Sequence, residues 1–367
     1  MSPLLRDLRE NRLQTLHIDR RSLWGYSKFS TSSLDTLDTY ESDTDDESFS
    51  SSSDVSDQED NAYWWSMLLS RICGSSKIEN VILQDEAFTS VRTSEELSET
   101  SFLDQLLRCL PTLPNIRLLR IYISRRGTLD FGLLQEVVQA CTGLQQLIIC
   151  DSSSWEDDPA EIAFALTSHK QVNQLASAIQ YHPSLVEVSL QECFVAPHLS
   201  LDPIVEALAT LPRLEMINLT MTPSSVSRIR NSSFVRLFQV DTLQDVTLWS
   251  MGLDDKHLEA ISDVLPLHPS LVFLSLRCNS KITDQGWQIL CDIVEENYVL
   301  RSVYTDEIVS PQQEIMLQIF LFLNQCGRES LLQSNDPQLW LEAVLRWQND
   351  LTVLFYLVSH GCPCLSS

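Results

Sequence analysis

The chain has 367 residues, 44% of them apolar, which is enough to bury a sizeable core and on length alone would suggest two domains. Its 50 acidic and 25 basic residues leave a formal charge of −25, which argues against phosphate backbones and anionic lipid as partners and favours a basic protein surface. Ten cysteines are scattered mostly singly, as suits reduced and buried thiols better than a disulfide framework.

From the start, residues 1–16 carry Arg6, Asp7, Arg9 and Glu10 without an apolar signal core, and no later run approaches a membrane span. The expected compartment is therefore the cytosol or nucleus. Leu13-Gln14-Thr15-Leu16-His17-Ile18 places aliphatic residues at i, i+3 and i+5, a strand with its entry turn, and residues 1–29 read as a capping segment. Residues 30–60 then contain 11 acidic residues and neither Lys nor Arg, a composition that cannot bury enough apolar area to offset its ordering entropy. This stretch is expected to be a disordered insertion, either simply solvated or phosphorylated for docking. Ser42, Thr44, Ser51 and Ser56 each have an acidic residue three places on, as acidophilic kinases require, and each phosphate would add roughly −1.5 to −2 charges.

Structure is expected to resume at residue 61. Ala62 to Leu69 reads as an apolar helix packed on the first strands. Ile78-x-x-Val81-x-Leu83 is the next strand, Ile116-x-x-Leu119-x-Ile121 follows after 38 residues, and Leu144-x-x-Leu147-x-Ile149 after another 28. The following gap is 41, so an exposed loop of about a dozen extra residues is expected near Asp151 to Pro159, with Trp155 on it. From Leu185 the pattern becomes regular. Leu185, Leu214, Leu243, Leu271 and Leu300 each open a similar hexapeptide at intervals of 28 or 29.

Within one unit, Leu243, Val246 and Leu248 point inward while Asp245, Thr247 and Trp249 alternate outward. Asp254 and Asp255 supply a helix start, Leu258, Ile261 and Leu265 share a face, and Pro266 stops the helix. A single unit cannot cover these apolar faces, so the units must stack. Return helices are predicted at Phe102–Leu110, Gly132–Cys141, Val172–Tyr181, Asp202–Leu211, Val226–Phe238, Lys256–Leu265 and Asp284–Glu296. His182-Pro183 and His268-Pro269 recur at helix exits, which favours a turn role over catalysis.

Leu-x-x-Leu-x-Leu at this period marks leucine-rich repeats. The unit Leu271-x-x-Leu274-x-Leu276-x-x-Asn279 followed by Ile282-Thr283-Asp284-x-Gly286 resembles the longer, ribonuclease-inhibitor-like type, which implies an α/β solenoid with parallel strands on the concave face and helices on the convex one. Elsewhere the Asn279 position holds Cys193, Thr222 or Met251, so the polar turn ladder is incomplete. The solenoid is expected over 61–306 and a helical cap over 307–367, with helices at Pro311–Gln325, Pro337–Trp347 and Leu351–His360. Leu323-Asn324-Gln325-Cys326-Gly327-Arg328 and Asp350-Leu351-x-x-Leu354-Phe355-Tyr356-Leu357 are similar to the tail of a group of leucine-rich-repeat proteins from unicellular algae, a resemblance that implies no activity.

Chemistry is weakly signalled. Glycine totals nine, and the chain lacks phosphate-cradling glycine loops, His-Glu-x-x-His and Gly-x-Ser-x-Gly, so neither a cofactor nor an enzymatic role is expected. Cys362-Pro363-Cys364 has no second pair at zinc spacing, and no metal is expected there. What the register does build is a surface. Outward residues should align in three columns: Glu187, Met216, Asp245, Phe273 and Ser302; Ser189, Asn218, Thr247, Ser275 and Tyr304; and Gln191, Thr220, Trp249, Arg277 and Asp306. Trp249, Phe273, Arg277, Asp245, Tyr304, Glu187 and Asn218 are the expected contacts of a protein partner, because aromatic and arginine clusters dominate interface energetics. Two rivals are activation of a small GTPase through Arg277 and service as a ubiquitin-ligase substrate adaptor. The second needs a preceding F-box, for which the stretch before the acidic insertion is too short and too polar.

Overall fold

The aliphatic rungs decide the architecture. In the computed structural model, residues 7, 10–18, 67–73, 75–84, 102–123, 129–151, 164–222, 228–306, 310–334, 336–346 and 355 are described. Inward pairs from Leu16 and Ile18 through Val188 and Leu190 to Leu274 and Leu276 are at most 1% exposed. These residues stand on β1 (Thr15–Ile18), β2 (Asn80–Gln84), β3 (Leu118–Ile123), β4 (Gln146–Asp151), β6 (Glu187–Val195), β7 (Met216–Met221), β8 (Asp245–Trp249) and β9 (Phe273–Ser275) or just beyond it, with β5 (Ala165–Leu166) set to one side. The strand β10 (Ser302–Tyr304) closes the described sheet, where Val303 is only half-buried because no further strand covers it. All strand pairs are parallel, as one-handed stacking of identical units requires.

Return helices fill the other side: α1 (Phe102–Cys109), α2 (Phe131–Ala140), α3 (His169–Ile179), α4 (Asp202–Leu208), α5 (Asn231–Leu237), α6 (Asp255–Ile261) and α7 (Asp284–Glu296). Their starts follow local chemistry. Asp130 accepts from Gly132 and Leu133 N–H groups, Ser168 forms a capping box with Gln171, and Asp254 does the same with His257. The Ser168 cap starts α3 at His169, three residues before the expected Val172. Helix ends differ more. Lys256–Leu265 stops at Ile261 and Pro266 sits in a separate 3-10 turn, while Asp202–Leu211 ends at Leu208. The expected helix from Val226 begins at Asn231 among the described residues, and that expected from Ala62 is described as helical over 67–73, with Leu68 and Ile72 buried.

The exposed loop expected after β4, with Trp155, lies outside the described residues from 152 on; where description resumes, Phe164 and Leu166 are buried in the core and β5 pairs with the far end of β6. Extension of β6 to nine residues brings a bulge between Leu190 and Cys193, with Glu192 at φ +60°. The acidic stretch 30–60 and its four candidate phosphosites lie outside the described residues, as do Cys362 and Cys364.

Polar braces tie each repeat to the next. Asn279 is the clearest: its Nδ2 donates to the carbonyls of Leu248 and Leu276, and its Oδ1 accepts from Leu253 N–H. Asp255 accepts from the backbone and hydroxyl of Thr283, and a Cβ on Gly286 would overlap Asp255 Oδ1, which explains glycine there. At the helix exits, His182 Nε2 donates to Cys141 O and His268 Nε2 to Val240 O, while each Nδ1 accepts an N–H of its own turn. Asn297 occupies the matching position one repeat on, reaching back to Leu265 O. The histidines are thus structural, and burial lowers the pKa of both.

The last repeat is sealed by α8 (Pro311–Gln325), α9 (Arg328–Gln333) and α10 (Pro337–Arg346). The helix α9 was not foreseen by its sequence pattern, and of Leu351–His360 only Phe355 is described. The motif around Asn324 explains the seal. Asn324 donates to Asn297 O and Leu300 O, Gly327 adopts φ +78°, and the Arg328 guanidinium stacks on Tyr298 and Phe320 while donating to the carbonyls of Val294 and Glu295.

Candidate functional site on the concave face

Side chains of the strands alternate between the core and the opposite face, so the register alone lines up the outward residues. The first two columns form as expected: Glu187, Met216, Asp245, Phe273 and Ser302 stand opposite one another in turn, and so do Ser189, Asn218, Thr247, Ser275 and Tyr304. In the third, Thr220 faces Trp249, but the β6 bulge sets both Gln191 and Glu192 against Thr220. Arg277 and Asp306 lie just past their strands and are exposed.

These columns enclose a shallow depression of roughly 400 Å3. Trp249, Phe273, Arg277, Tyr304 and Asn218 line it, together with Gln191, Glu192, Thr220, Thr247 and Ser275. The Arg277 guanidinium lies over the Trp249 ring, 5.7 Å from its centroid, and the Phe273 and Tyr304 rings are 5.2 Å apart. One cation–π contact and one ring–ring contact therefore lie in its lining. Polar neighbours are held in place by bonds along each strand: Gln191 donates to Ser189 Oγ at 2.8 Å and Thr220 to Asn218 Oδ1 at 2.8 Å. Such pairing fixes rotamers before any partner arrives.

Glu187 and Asp245 do not line the depression. They stand at its side, flanking Met216, which is 38% exposed. Burial raises the pKa of both carboxyls; for Glu187 the nearby Arg120 and a 2.8 Å bond from Gln146 oppose the rise, and Asp245 adds to it. Arg120 also bonds Tyr122 at 3.4 Å, on a part of the face that no repeat regularity had singled out. Among the described residues, no group of three or more His, Cys, Asp or Glu side chains is placed to hold a metal, and no helix is long and apolar enough to cross a membrane.

The fold these features define is a leucine-rich-repeat solenoid with strands on the concave face and helices on the convex one. No protein-family model matches the chain, and no curated protein matches it. Among solved structures, similarity is found to the leiomodin-1 actin-binding site 2, at 16% identity over 46% of this chain and 96% of that one, with a TM-score of 0.36. The yeast Rad7 and Elc1 complex is similar at 14% identity over 60% of this chain and 58% of that one, with a TM-score of 0.36. The Caenorhabditis elegans tropomodulin C-terminal domain is similar at 11% identity over 60% and 92%, with a TM-score of 0.25. All three superpositions are weak, and what those proteins bind does not transfer to this chain.

Proposed function

We propose that this protein is a non-enzymatic scaffold whose concave face binds another protein through the depression around Trp249 and Phe273. The observation that carries this reading is the pairing of Trp249 with Arg277 and of Phe273 with Tyr304 on strands whose inner faces alone hold the core. An aromatic and arginine cluster that the fold does not need is the chemistry of an interface centre. The partner presents a basic surface. A chain of charge −25 steers cations toward it, and the half-buried Glu187 and Asp245 beside Met216 suit a lysine or arginine whose stem lies on the thioether. We infer that the repeats are of the ribonuclease-inhibitor-like type, on the strength of their period and helical returns; Leu323 to Arg328 resembles the tail of the algal group in sequence.

Trp249→Ala and Phe273→Ala should each leave the thermal melt unchanged and weaken partner binding about thirtyfold or more, the consequence of losing about 2 kcal/mol at an interface centre. Affinity capture with the native chain identifies the partner, and titration of the two variants measures the loss. Unchanged affinity in both would remove the site. Binding should also weaken as salt rises, because the attraction between acidic face and basic partner is screened.

A further inference from the structure

The lining of the concave depression offers hydrogen-bond donors, while its acceptors are already engaged. Arg277 is exposed, with its guanidinium over the Trp249 ring, and among the described residues that guanidinium makes neither an ion pair nor a hydrogen bond. In a chain with 50 carboxylate side chains this is a conspicuous omission. The Tyr304 hydroxyl, on a side chain 52% exposed, also has no hydrogen bond among the described residues. The backbone bond from Leu276 N–H to Tyr304 O, at 2.8 Å, sets Arg277 and Tyr304 side by side. By contrast, Asn218 Oδ1 accepts from Thr220 and Gln191 Oε1 from the Cys150 thiol.

We propose that the depression receives an aspartate or glutamate side chain of the protein partner, anchored by Arg277. The inference rests on the reading of this face as the partner's site, and names what enters it. With Trp249 against the guanidinium, the N–H groups along its edge present a planar fork, which a carboxylate matches with two parallel bonds. Tyr304 adds a third donor, and the Phe273 and Tyr304 rings give the methylene stem an apolar surface. Glu192 stands on the same lining, three strands from β9, and weighs against a doubly charged phosphate. A lone anion is repelled by a chain of charge −25. The carboxylate therefore arrives within a basic surface, so the partner's docking patch carries both signs: a cation over Met216, between Glu187 and Asp245, and an anion against Arg277.

The test follows the Trp249 indole N–H by magnetic resonance in the whole chain, isotope-labelled at tryptophan, where it is the signal lost in Trp249→Phe. The probes are N-acetylglutamate amide, the neutral N-acetylglutamine amide, N-acetylphosphoserine amide and N-acetylglycine. The glutamate probe should shift the signal saturably and the glutamine probe should not. Arg277→Gln should weaken the glutamate probe about tenfold or more, and Arg277→Lys, a charge without the fork, by less. Arg277→Gln should keep the thermal melt, because the hydrogen bonds Arg277 makes within the fold use only its carbonyl, which accepts from Ser250 N–H and Asn279 Nδ2. No saturable shift, an equal response to the glutamine probe, or undiminished binding in Arg277→Gln would overturn the proposal. So would tighter binding of the phosphoserine probe or of N-acetylglycine, which would put a phosphate or a chain terminus in place of the acidic side chain. If Trp249→Ala and Phe273→Ala lose the partner while the glutamate probe leaves Trp249 unmoved, the partner site stands and this inference falls. A saturable glutamate shift with partner affinity unchanged in both alanine variants has the reverse meaning.

Discussion

The two halves of the solenoid share one core and carry two different faces. In the first half, β2 to β4 are unevenly spaced in sequence, and the second outward column reads Ile82, Arg120 and Ile148, the last of them buried. In the second half the repeats keep a period of 28 or 29, and the same column reads Ser189, Asn218, Thr247, Ser275 and Tyr304. Inward rungs are equally buried in both, apart from Val303 on the last strand. Core packing therefore does not dictate what the face displays, and the polar and aromatic face of β6 to β10 is open to selection for recognition.

The sharpest way to break this division is to cut a rung. Leu248→Ala should cost about 2–5 kcal/mol through lost burial and a residual cavity, whereas Thr247→Ala, one residue away on the outer face, should stay within about 0.5 kcal/mol. Urea melts of the two variants measure the contrast. Comparable losses would mean that the outer face also holds the fold together.

A smaller effect is expected at the braces. Asn279→Ala leaves the carbonyls of Leu248 and Leu276 and the N–H of Leu253 without this partner, at a cost of about 1–3 kcal/mol by the same measurement. Since Met251 and Cys193 fill the equivalent places in other repeats, a loss below that range would show that apolar packing alone can close this turn.

The smallest effect is tied to pH. The folded state holds His182 and His268 neutral, with Nε2 donating and Nδ1 accepting, so both pKa values fall below the ordinary 6.5. The unfolded chain then binds protons first as pH drops. Stabilisation from these histidines is complete above pH 6.5 and is lost as pH falls from there toward the lowered folded values. His268→Asn, which copies Asn297 in the next repeat, should keep stability near neutrality within about 1 kcal/mol while flattening the decline at lower pH. Melts at several pH values compare the variant with the native chain, and an unaltered slope would show that His268 does not titrate on unfolding.

How far the residues foretold this site depends on the range of the forces involved. The rungs, the two outward columns and the aromatic cluster were legible, because alternation along a strand is a local property of backbone geometry. Glu192 was not: Ser250 and Cys278 share its positive φ at the same place in their repeats, but only where β6 runs on to pair with β5 does that place become a bulge within a strand, and glutamate carries no compositional sign of it. Helix ends were misplaced for a related reason. Pro266 marks a stop, but whether the preceding turn remains α-helical is settled by how the chain must return to the next strand.

The recurrence of leucines by itself determined that parallel strands would stack, which side chains would be interior, and where Trp249 and Phe273 would stand. Only the tertiary structure decided which groups meet across repeats: His268 with Val240 and Asp255 with Thr283. Those contacts join residues that are far apart in the chain and become neighbours only after stacking, so no local pattern encodes them.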